Sequence, residues 1–449
     1  DHPLSAEAGA EILARGGNAV DAAVAAALSA GVVQPAGSGL GGGGFAVIVQ
    51  PDGTRSVLDF REVAPAAASR DMFLVDGKAD SALSLRSGLA VAVPGESRGL
   101  MTLLEVWGSL SPKVVAAPAI RQATRGTPVG DHLAEALATT SQTEVQALFF
   151  DDGPPQRGDT MRRSSLGTTL QRWVSSKGED LHVGTGAGRM LAAVERRDGV
   201  LTAADLAAYQ PKRREPVEVT FRDHQVVTMP PPSSGGVVLA QLLRVLEGYD
   251  LKSLGHNSSD YIHLLTEAMK HAYADRAHHM GDPDFVEVPL ERLISDERVG
   301  EIRGRIWPGR TFESDYYGAI IAPPTDGGTT HISVIDKDGM AVALTSTINT
   351  GFGSGIVAAQ IGVILNNEMD DFSAQPGVPN AYGLVGAEAN SVEAGKRPLS
   401  SMSPTIVTNE QGKVMMSVGG SGGSHIISST LQVILNVLVF EMDAQQAVS

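Results

Sequence analysis

The chain has 449 residues, of which 42% are hydrophobic and 19% charged, proportions typical of a folded globular protein rather than a disordered one. Its net charge of −16 argues against nucleic acid or an anionic membrane as a partner, and the absence of cysteine excludes thiol catalysis, disulfides and cysteine-based metal sites. No apolar run reaches the roughly 18 residues of a membrane-spanning helix, so no span is predicted.

The N-terminal segment predicts two helices and a β-hairpin. The first helix has one apolar face, and the second is rich in alanine with Asn18 as its N-cap. A Pro-Asp-Gly turn then separates two runs that are typical of hairpin strands. In order, the predicted elements are a helix from about Leu4 to Gly16-Gly17, a helix over about 19–30, a glycine-rich loop over 37–44, a strand over 45–49 and a returning strand toward Phe60.

The middle of the chain, about 95–320, is predicted to be mainly helical. The basic run Lys212-Arg213-Arg214 is interpreted as a solvated loop. His271 and His278 share a helical face, but seven residues separate them by about 10.5 Å, which is too far for one zinc ion. No metal site is therefore predicted.

Beyond residue 329 the pattern changes to the alternation of strands. The runs 331–335 and 341–347 flank Asp336-Lys337-Asp338-Gly339, which indicates a hairpin. A strand over 414–418, a glycine cluster and an apolar helix over 425–440 follow. Helices at both ends with strands between them indicate layers of helices around central sheets.

Thr329 follows the polar glycine loop Asp326-Gly327-Gly328 at the start of the first of these strands. If the chain is cut before it, the hydroxyl of Thr329 can act as nucleophile and its freed α-amine as base. An α-amine has a pKa of roughly 7.7–8.0, so it is substantially neutral near physiological pH. A threonine pair is equally typical of an ordinary strand, because β-branched residues favour strands, so its meaning depends on the surrounding sequence.

Several sequence blocks, rather than one motif, carry the functional signal. In chain order they are 16–23, 38–45, 60–62, 329–339, 347–349, 352–355, 365–372, 397–404 and 422–424. In this order and at this spacing they resemble the γ-glutamyltranspeptidase family. The resemblance extends, with gaps, from His2 to the last strand–helix unit.

The resemblance implies an α+β fold, namely the four-layer αββα sandwich of the N-terminal nucleophile hydrolases. It also implies a precursor that cleaves itself between residues 328 and 329, giving a large-subunit region 1–328 and a small-subunit region 329–449 within one intertwined globular unit. Family members continue beyond the position of Ser449, so a truncated C-terminus is expected. A periplasmic or secreted location follows from family habit, although the chain carries no signal peptide.

The same resemblance implies the catalytic residues. Thr329 matches the nucleophile, Gly328–Thr329 matches the bond that is cut, and Thr347 matches the hydroxyl that orients the nucleophile. Gly422 and Gly423 match the oxyanion hole. Their position before a helix suits this role, because free N–H groups and the helix dipole favour an anion there.

The implied substrate site binds the α-carboxylate and α-ammonium of a γ-glutamyl group. A guanidinium can hold a carboxylate through two parallel hydrogen bonds, and an ammonium needs acceptors for its three donors. By resemblance, Arg61, Ser400 and Ser401 bind the carboxylate, Asn349, Glu368 and Asp371 accept from the ammonium, and Tyr382 belongs to a lid loop over 376–386.

The implied activity is that of a γ-glutamyltranspeptidase or glutathione hydrolase. Thr329 would form a γ-glutamyl ester from glutathione or a related γ-glutamyl compound, and water or the amine of an amino acid or peptide would resolve it. No metal or organic cofactor is implied. Two alternatives stay open: a glutaryl (cephalosporin) acylase, which would not need the ammonium acceptors, and an unprocessed, non-catalytic precursor that binds γ-glutamyl groups.

Overall fold

The computed structural model describes residues 2–318 and 328–449. Within these ranges the chain forms fifteen strands and twenty α-helices. The strands are β1 (Gly43–Val49), β2 (Arg55–Asp59), β3 (Leu74–Val75), β4 (Lys78–Ala79), β5 (Thr127–Pro128), β6 (Thr160–Met161), β7 (Lys212–Arg214), β8 (Val217–Phe221), β9 (His224–Thr228), β10 (Thr330–Ile335), β11 (Ala341–Thr347), β12 (Val357–Ala358), β13 (Val363–Ile364), β14 (Thr405–Asn409) and β15 (Val414–Val418).

The helices surround two central sheets and occupy most of the middle of the chain. They are α1 (Pro3–Ala14), α2 (Ala19–Val33), α3 (Ser81–Arg86), α4 (Glu96–Trp107), α5 (Pro112–Val115), α6 (Ala117–Arg125), α7 (Asp131–Thr139), α8 (Thr143–Phe149), α9 (Ser164–Ser175), α10 (Asp180–Val183), α11 (Thr185–Glu195), α12 (Ala203–Ala208), α13 (Gly235–Leu246), α14 (Leu251–Leu254), α15 (Ser259–His279), α16 (Leu290–Leu293), α17 (Asp296–Arg305), α18 (Ser314–Tyr317), α19 (His425–Leu438) and α20 (Ala444–Val448).

Two antiparallel sheets contain strands from distant parts of the sequence. The first sheet has the order β10-β11-β1-β2-β7, and the second has the order β15-β14-β9-β8. In the first sheet β11 pairs with β1, and in the second β14 pairs with β9. Strands that follow residue 329 therefore complete sheets that begin before it.

The two sheets pack face to face. Successive side chains of a strand point to opposite faces, so Phe45 and Val47 of β1 pack against Ile406 of β14 in the second sheet. Ala46 and Ile48 point the other way, into a cluster formed with the helices. Both faces of β1 are thus apolar, which explains why its sequence is a continuous hydrophobic run.

Helices cover the outer face of each sheet. On the first sheet, α2 is buried at all fifteen of its positions, which accounts for its alanine-rich sequence. On the second sheet, α13 and α19 pack against residues of β8, β14 and β15. The order of layers is helix, sheet, sheet, helix, so the predicted αββα sandwich is confirmed. Among the described residues, no helix is both long and apolar enough to cross a membrane.

The predicted N-terminal elements are confirmed as α1, α2 and the β1–β2 hairpin. Asn18 caps α2 as predicted: its side chain accepts hydrogen bonds from the N–H groups of Val20 and Asp21. The Asp21 carboxylate accepts the N–H of Asn18 in return and also the N–H and hydroxyl of Ser109. This reciprocal cap ties the start of α2 to the segment that follows α4.

The prediction of a mainly helical middle region missed five strands, the two-residue β5 and β6 and the longer β7, β8 and β9, and the solvated-loop interpretation of residues 212–214 was wrong. These residues form β7, at the edge of the first sheet. Arg214 pairs with the buried Asp59 at 2.7 Å, and Lys212 pairs with Asp284 at 2.7 Å. Two of the three charges of β7 are thus neutralised by residues that are far away in sequence, while Arg213 is exposed, so the basic run alone did not indicate a strand.

The tight packing between the sheets leads to a stability prediction. Phe45 is fully buried, so Phe45→Ala should lower the free energy of unfolding by about 3–5 kcal/mol through lost burial and a residual cavity. Urea denaturation measures this change. Ile262→Ala, at a half-exposed position of α15, is the control and should change it by less than about 0.5 kcal/mol. Equal effects of the two substitutions would contradict the packing described here.

Candidate active site

Thr329 and Thr347 face each other at one end of the first sheet. Thr330 pairs with Ser346 across β10 and β11, which places Thr329 beside Thr347, and their Oγ1 atoms are 3.1 Å apart. The Asn349 N–H donates to Thr347 Oγ1 at 2.8 Å. Because this bond uses one lone pair of Thr347, its hydroxyl hydrogen can be directed at Thr329. The hairpin pairing therefore produces the predicted contact.

The backbone is strained at the predicted cleavage site. Thr329 has φ of 139°, a conformation that a β-branched residue rarely adopts. A Cβ added to Gly328 would lie 2.8 Å from the carbonyl oxygen of Asn349, so only glycine fits there without displacing the chain. The bond between the two residues thus combines strain with a closely packed environment, which favours its rearrangement.

A cavity brings together ten of the twelve residues predicted for the site. Gly328 and Gly422 are the two that do not line it. Leu384, Met402 and Ile426 line it in addition and give it an apolar wall. The ten predicted lining residues are Arg61, Thr329, Thr347, Asn349, Glu368, Asp371, Tyr382, Ser400, Ser401 and Gly423.

Arg61 is the buried cation of this cavity. Its guanidinium donates to the carboxylate of Glu368, to Asp371 Oδ2 at 2.5 Å and to the carbonyl of Pro398 at 3.2 Å. Glu368 and Asp371 lie in a short 3₁₀ turn that follows β13, and this turn carries both carboxylates to the same guanidinium. Removing one partner from a buried charge pair typically costs about 3–5 kcal/mol, so the cluster is also structural.

The carboxyl groups around Arg61 outnumber the positive charge. Burial is the main cause that raises the pKa of Glu368, to about 7, and the pKa of Asp371 also rises for this reason. Burial, followed by the nearby Glu368, raises the pKa of Glu62 well above its ordinary value. Although burial lowers the pKa of Arg61, the adjacent carboxylates hold it above its usual value. Arg61 therefore stays charged, while burial shifts the pKa of each of the three acids toward the protonated form.

Two polar atoms in the cavity have unused hydrogen-bonding capacity. Ser401 Oγ and Glu368 Oε2 are buried, and neither has a hydrogen-bond partner among the described residues. Ser400 Oγ, by contrast, accepts the N–H of Met402 at 3.0 Å. A buried polar group without a partner costs about 1–3 kcal/mol, and such a group in a cavity indicates a ligand that would satisfy it.

The glycine turn before α19 forms another wall of the cavity. Gly422 and Gly423 have φ of 104° and 55°, and neither N–H donates a hydrogen bond to a described residue. A Cβ on Gly423 would lie 2.1 Å from the ring of Tyr382, so this turn requires glycine. Free N–H groups at the start of a fourteen-residue helix provide a site suited to an anion.

The loop 376–386 borders the cavity through Tyr382 and Leu384. The Tyr382 hydroxyl donates to the carbonyl of Asn349 at 2.7 Å, and Asn380 Nδ2 donates to Asp371 Oδ1 at 3.0 Å. These two bonds hold the loop against the cavity wall, and its role as a lid stays a prediction.

Comparison with known proteins identifies the family. The γ-glutamyltranspeptidase family model matches residues 5–449. The chain belongs to the γ-glutamyltranspeptidase family. A glutathione hydrolase proenzyme of Escherichia coli (strain K12) is 43% identical over 450 residues, which are 98% of this chain and 77% of that protein.

Solved structures agree with the family assignment. The structure of Helicobacter pylori γ-glutamyltranspeptidase is similar with a TM-score of 0.67 and 37% identity, over 70% of this chain and 93% of that chain. A cephalosporin acylase from Bacillus halodurans is similar with a TM-score of 0.83 and 27% identity, over 99% of this chain and 81% of that chain. The chain is thus an acyl-transferring or hydrolytic member of the N-terminal nucleophile hydrolases.

Sequence reasoning missed several residues of the site. Glu62 lies in a block that resembles the family, but its contact with the Glu368 cluster depends on the fold. Leu384 lies in the predicted lid loop and Met402 in the block 397–404, but neither these residues nor Ile426 had been assigned to the site. Among the described residues, no group of three or more His, Asp or Glu side chains could hold a metal ion.

The raised pKa of Glu62 predicts a pH-dependent stability difference. The folded protein keeps this proton, whereas the unfolded chain loses it above the ordinary pKa of 4.5, so the stability contributed by Glu62 falls as the pH rises above that value. Glutamine does not titrate. The test compares Glu62→Gln with its parent, both in a Thr329→Ala background. The unfolding free energy of the variant minus that of the parent should increase from about pH 5 to pH 8, as measured by urea denaturation.

The exposed Glu105, replaced by glutamine, controls for the loss of one negative charge. If the difference in unfolding free energy between Glu62→Gln and its parent did not change with pH over this range, Glu62 would be ionised in the folded protein.

Proposed function

We propose that the chain is the precursor of a γ-glutamyltranspeptidase that also acts as a glutathione hydrolase. One observation carries this proposal: a single cavity holds the Thr329–Thr347 hydroxyl pair, the Arg61 guanidinium, and the carboxylates of Glu368 and Asp371. These groups match a nucleophile, an α-carboxylate and an α-ammonium. Two relatives of this chain support the proposal, since they are named glutathione hydrolase proenzymes and are 43% and 42% identical to it.

The first step would be self-cleavage. Thr329 Oγ1 attacks the carbonyl carbon of Gly328 and displaces the amide nitrogen, which gives an ester between the two residues. Water then hydrolyses the ester and releases the Gly328 carboxylate and the α-amine of Thr329. The φ of 139° at Thr329 supports this step, because cleavage relieves the strain. The products are a large fragment 1–328 and a small fragment 329–449, which would remain partners.

The α-carboxylate of the substrate would bind to Arg61, Ser400 and Ser401. Arg61 supplies a charged, planar donor, and the unpartnered hydroxyl of Ser401 gains an acceptor. Arg61 already contacts two carboxylates without substrate, so it is held in position before binding. Binding then exchanges hydrogen bonds within the protein for hydrogen bonds to substrate.

The α-ammonium of the substrate would bind to Asn349, Glu368 and Asp371. Glu368 Oε2 is buried and unpartnered, and the Asn349 side chain uses its Nδ2 on the carbonyl of Asn367, which leaves its oxygen as an acceptor. An added positive charge also favours the ionised form of the crowded carboxyls. A zwitterionic substrate therefore complements the cluster on both of its charges.

Turnover would use the groups exposed by cleavage. The Thr329 hydroxyl attacks the γ-carbonyl carbon while its α-amine takes the proton, and the N–H groups of Gly422 and Gly423 stabilise the oxyanion. The α-amine returns the proton to the leaving amine, which departs and leaves a γ-glutamyl ester. Water or the amine of an amino acid or peptide then attacks this ester and restores the enzyme. No metal or organic cofactor takes part.

The acylase alternative is less well supported. The similar acylase structure is 27% identical, below the 43% of the Escherichia coli relative. A glutaryl group has no α-ammonium, so it would leave the acceptors Glu368 and Asp371 without their charged partner. An unprocessed, non-catalytic precursor is the remaining alternative. We further propose a periplasmic or secreted location, which rests on the family resemblance alone.

Self-cleavage is tested by intact-mass spectrometry under denaturing conditions, after incubation of the purified chain near neutral pH. Two fragments that meet between Gly328 and Thr329 are expected, because strain and an adjacent nucleophile act on the same bond. Thr329→Ala should stay whole. A single intact mass for the parent would support the non-catalytic precursor, and a cut in Thr329→Ala would assign the cleavage to another protease.

Substrate class is tested by comparing the release of an anilide from its γ-glutamyl and glutaryl derivatives. The γ-glutamyl compound should be preferred. Asp371→Asn should lower its kcat/KM by about 10- to 100-fold and affect the glutaryl compound much less, because only the former carries the ammonium. Asp370→Asn is the control, since this neighbouring carboxylate bonds to Ser84 and does not line the cavity. Preference for the glutaryl compound would identify an acylase.

A further inference from the structure

A second cavity, of about 500 Å³, lies next to the proposed active site. Tyr382 and Leu384 line both cavities, so the lid loop forms their common wall. Gly423 lines the first cavity and the next residue, Ser424, lines the second. The turn proposed to hold the oxyanion thus has one cavity on each side. The two-cation face of α15, defined here as Lys270 and Arg276, lines the second cavity.

Arg276 is a buried cation that forms no ion pair with a described residue, although the charge of Asp371 acts on it from beyond ion-pair distance. Its side chain is only 4% exposed, and among the described residues no carboxylate lies within ion-pair distance of it. Its Nε donates to Ser234 Oγ at 2.9 Å, while its two terminal nitrogens donate no hydrogen bond to any described residue. Burying an uncompensated charge is costly, so an unpartnered arginine beside a cavity indicates an anionic ligand.

The other buried arginines of the same chain are compensated. Arg61 contacts two carboxylates, and Arg397 lies 3.3 Å from Asp59. Arg163 donates to backbone carbonyls of Gly31 and Gly362. Arg98 pairs with Glu179 at 2.7 Å. Arg276 differs from these four, since its one hydrogen bond among the described residues is to the hydroxyl of Ser234.

Lys270 has its charge neutralised. Its ammonium lies 2.7 Å from Glu267 Oε1 on the same helix and 3.4 Å from the Tyr317 hydroxyl. Lys270 and Arg276 line the same cavity, but only Arg276 has free donors. Arg276 is therefore the residue of this face that can bind a carboxylate through two parallel hydrogen bonds.

The position of the second cavity matches the path of the leaving amine. With the γ-glutamyl group toward Arg61 and the reacting carbonyl at Gly423, the amine side of the scissile amide must point away from Arg61. The second cavity begins at Ser424, the residue next to Gly423, so it adjoins the position of the reacting carbonyl. A dipeptide leaving group places its terminal carboxylate about 7 Å from the amide, since an extended residue spans about 3.3–3.6 Å.

We propose that the second cavity binds the amine half of the substrate, a short peptide with a free C-terminal carboxylate, and that Arg276 binds this carboxylate. This inference rests on the proposed function and names the half of the substrate that the first cavity does not hold. The same site would accept the carboxylate of an incoming amino-acid or peptide amine during transfer. Arg276 is thus a specificity-determining residue, distinct from the groups that perform the chemistry.

The test uses the processed enzyme and three donors that share the γ-glutamyl group. Glutathione carries the glycine carboxylate, its glycine ethyl ester masks this carboxylate, and a γ-glutamyl anilide lacks it. Arg276→Gln should lower kcat/KM for glutathione by about 10- to 100-fold, mainly through KM, and change the values for the ester and the anilide by less than about threefold. The unchanged enzyme should prefer glutathione to its ester by a similar factor.

Lys270→Met is the matched control, because it removes a cation of the same cavity, and this cation is already paired with Glu267. It should affect all three donors alike. Arg276→Lys, which keeps the charge but not the two parallel donors, should recover part of the preference for glutathione.

Two results would overturn the proposal. An equal loss on all three donors in Arg276→Gln would assign Arg276 only to holding Ser234 and, through it, the carbonyl of Ser400. The proposal would also be overturned if the unchanged enzyme showed no preference for glutathione over its ester. This second result does not depend on whether the variant folds. Failure of the proposed function looks different, since the unchanged enzyme would then hydrolyse none of the three donors.

Discussion

The hydrogen-bonded register between β10 and β11 controls the geometry of the whole site. It sets Thr329 opposite Thr347, and it directs the chain after β11 back over the cavity, where Asn349 supplies an N–H to Thr347 and a carbonyl to the lid residue Tyr382. A slip of one residue would turn every side chain of β10 to the other face. In β10, Ile332 and Val334 pack toward the helices while Ser333 is exposed, and this alternation opposes such a slip. Core packing therefore also fixes the position of Thr329 beside Thr347.

The charge cluster around Arg61 gives the site its second constraint. Three acids crowd one guanidinium in a place that water barely reaches, which is unfavourable for stability but leaves the cavity complementary to a small zwitterion. Arg276, on the far side of the lid, lacks such compensation. The molecule thus contains one buried cation that is paired with internal acids and another that forms no ion pair with a described residue.

The sequence predicted much of the fold from local patterns, whereas it predicted the site residues from their resemblance to a family. The β10–β11 hairpin and the cap of α2 are local features, and their turn and cap residues indicate them directly. β7 and its ion pair with Asp59 depend on residues about 155 positions apart, which no local pattern reveals. For the same reason, the sequence indicated neither the crowding of Glu62 nor the lack of an ion pair at Arg276 among the described residues. The site roles came from resemblance, whereas their convergence on one cavity required the structure.

Because both sheets contain strands from each of the two predicted fragments, neither fragment has a complete sheet by itself. Once separated, the large fragment would expose the edges of β1 and β9, and the small fragment those of β11 and β14. Open, apolar strand edges recruit other chains and promote aggregation. Synthesis as one chain therefore protects these edges. It supplies the two fragments in a 1:1 ratio, and their strands would pair with each other before the chain is cut.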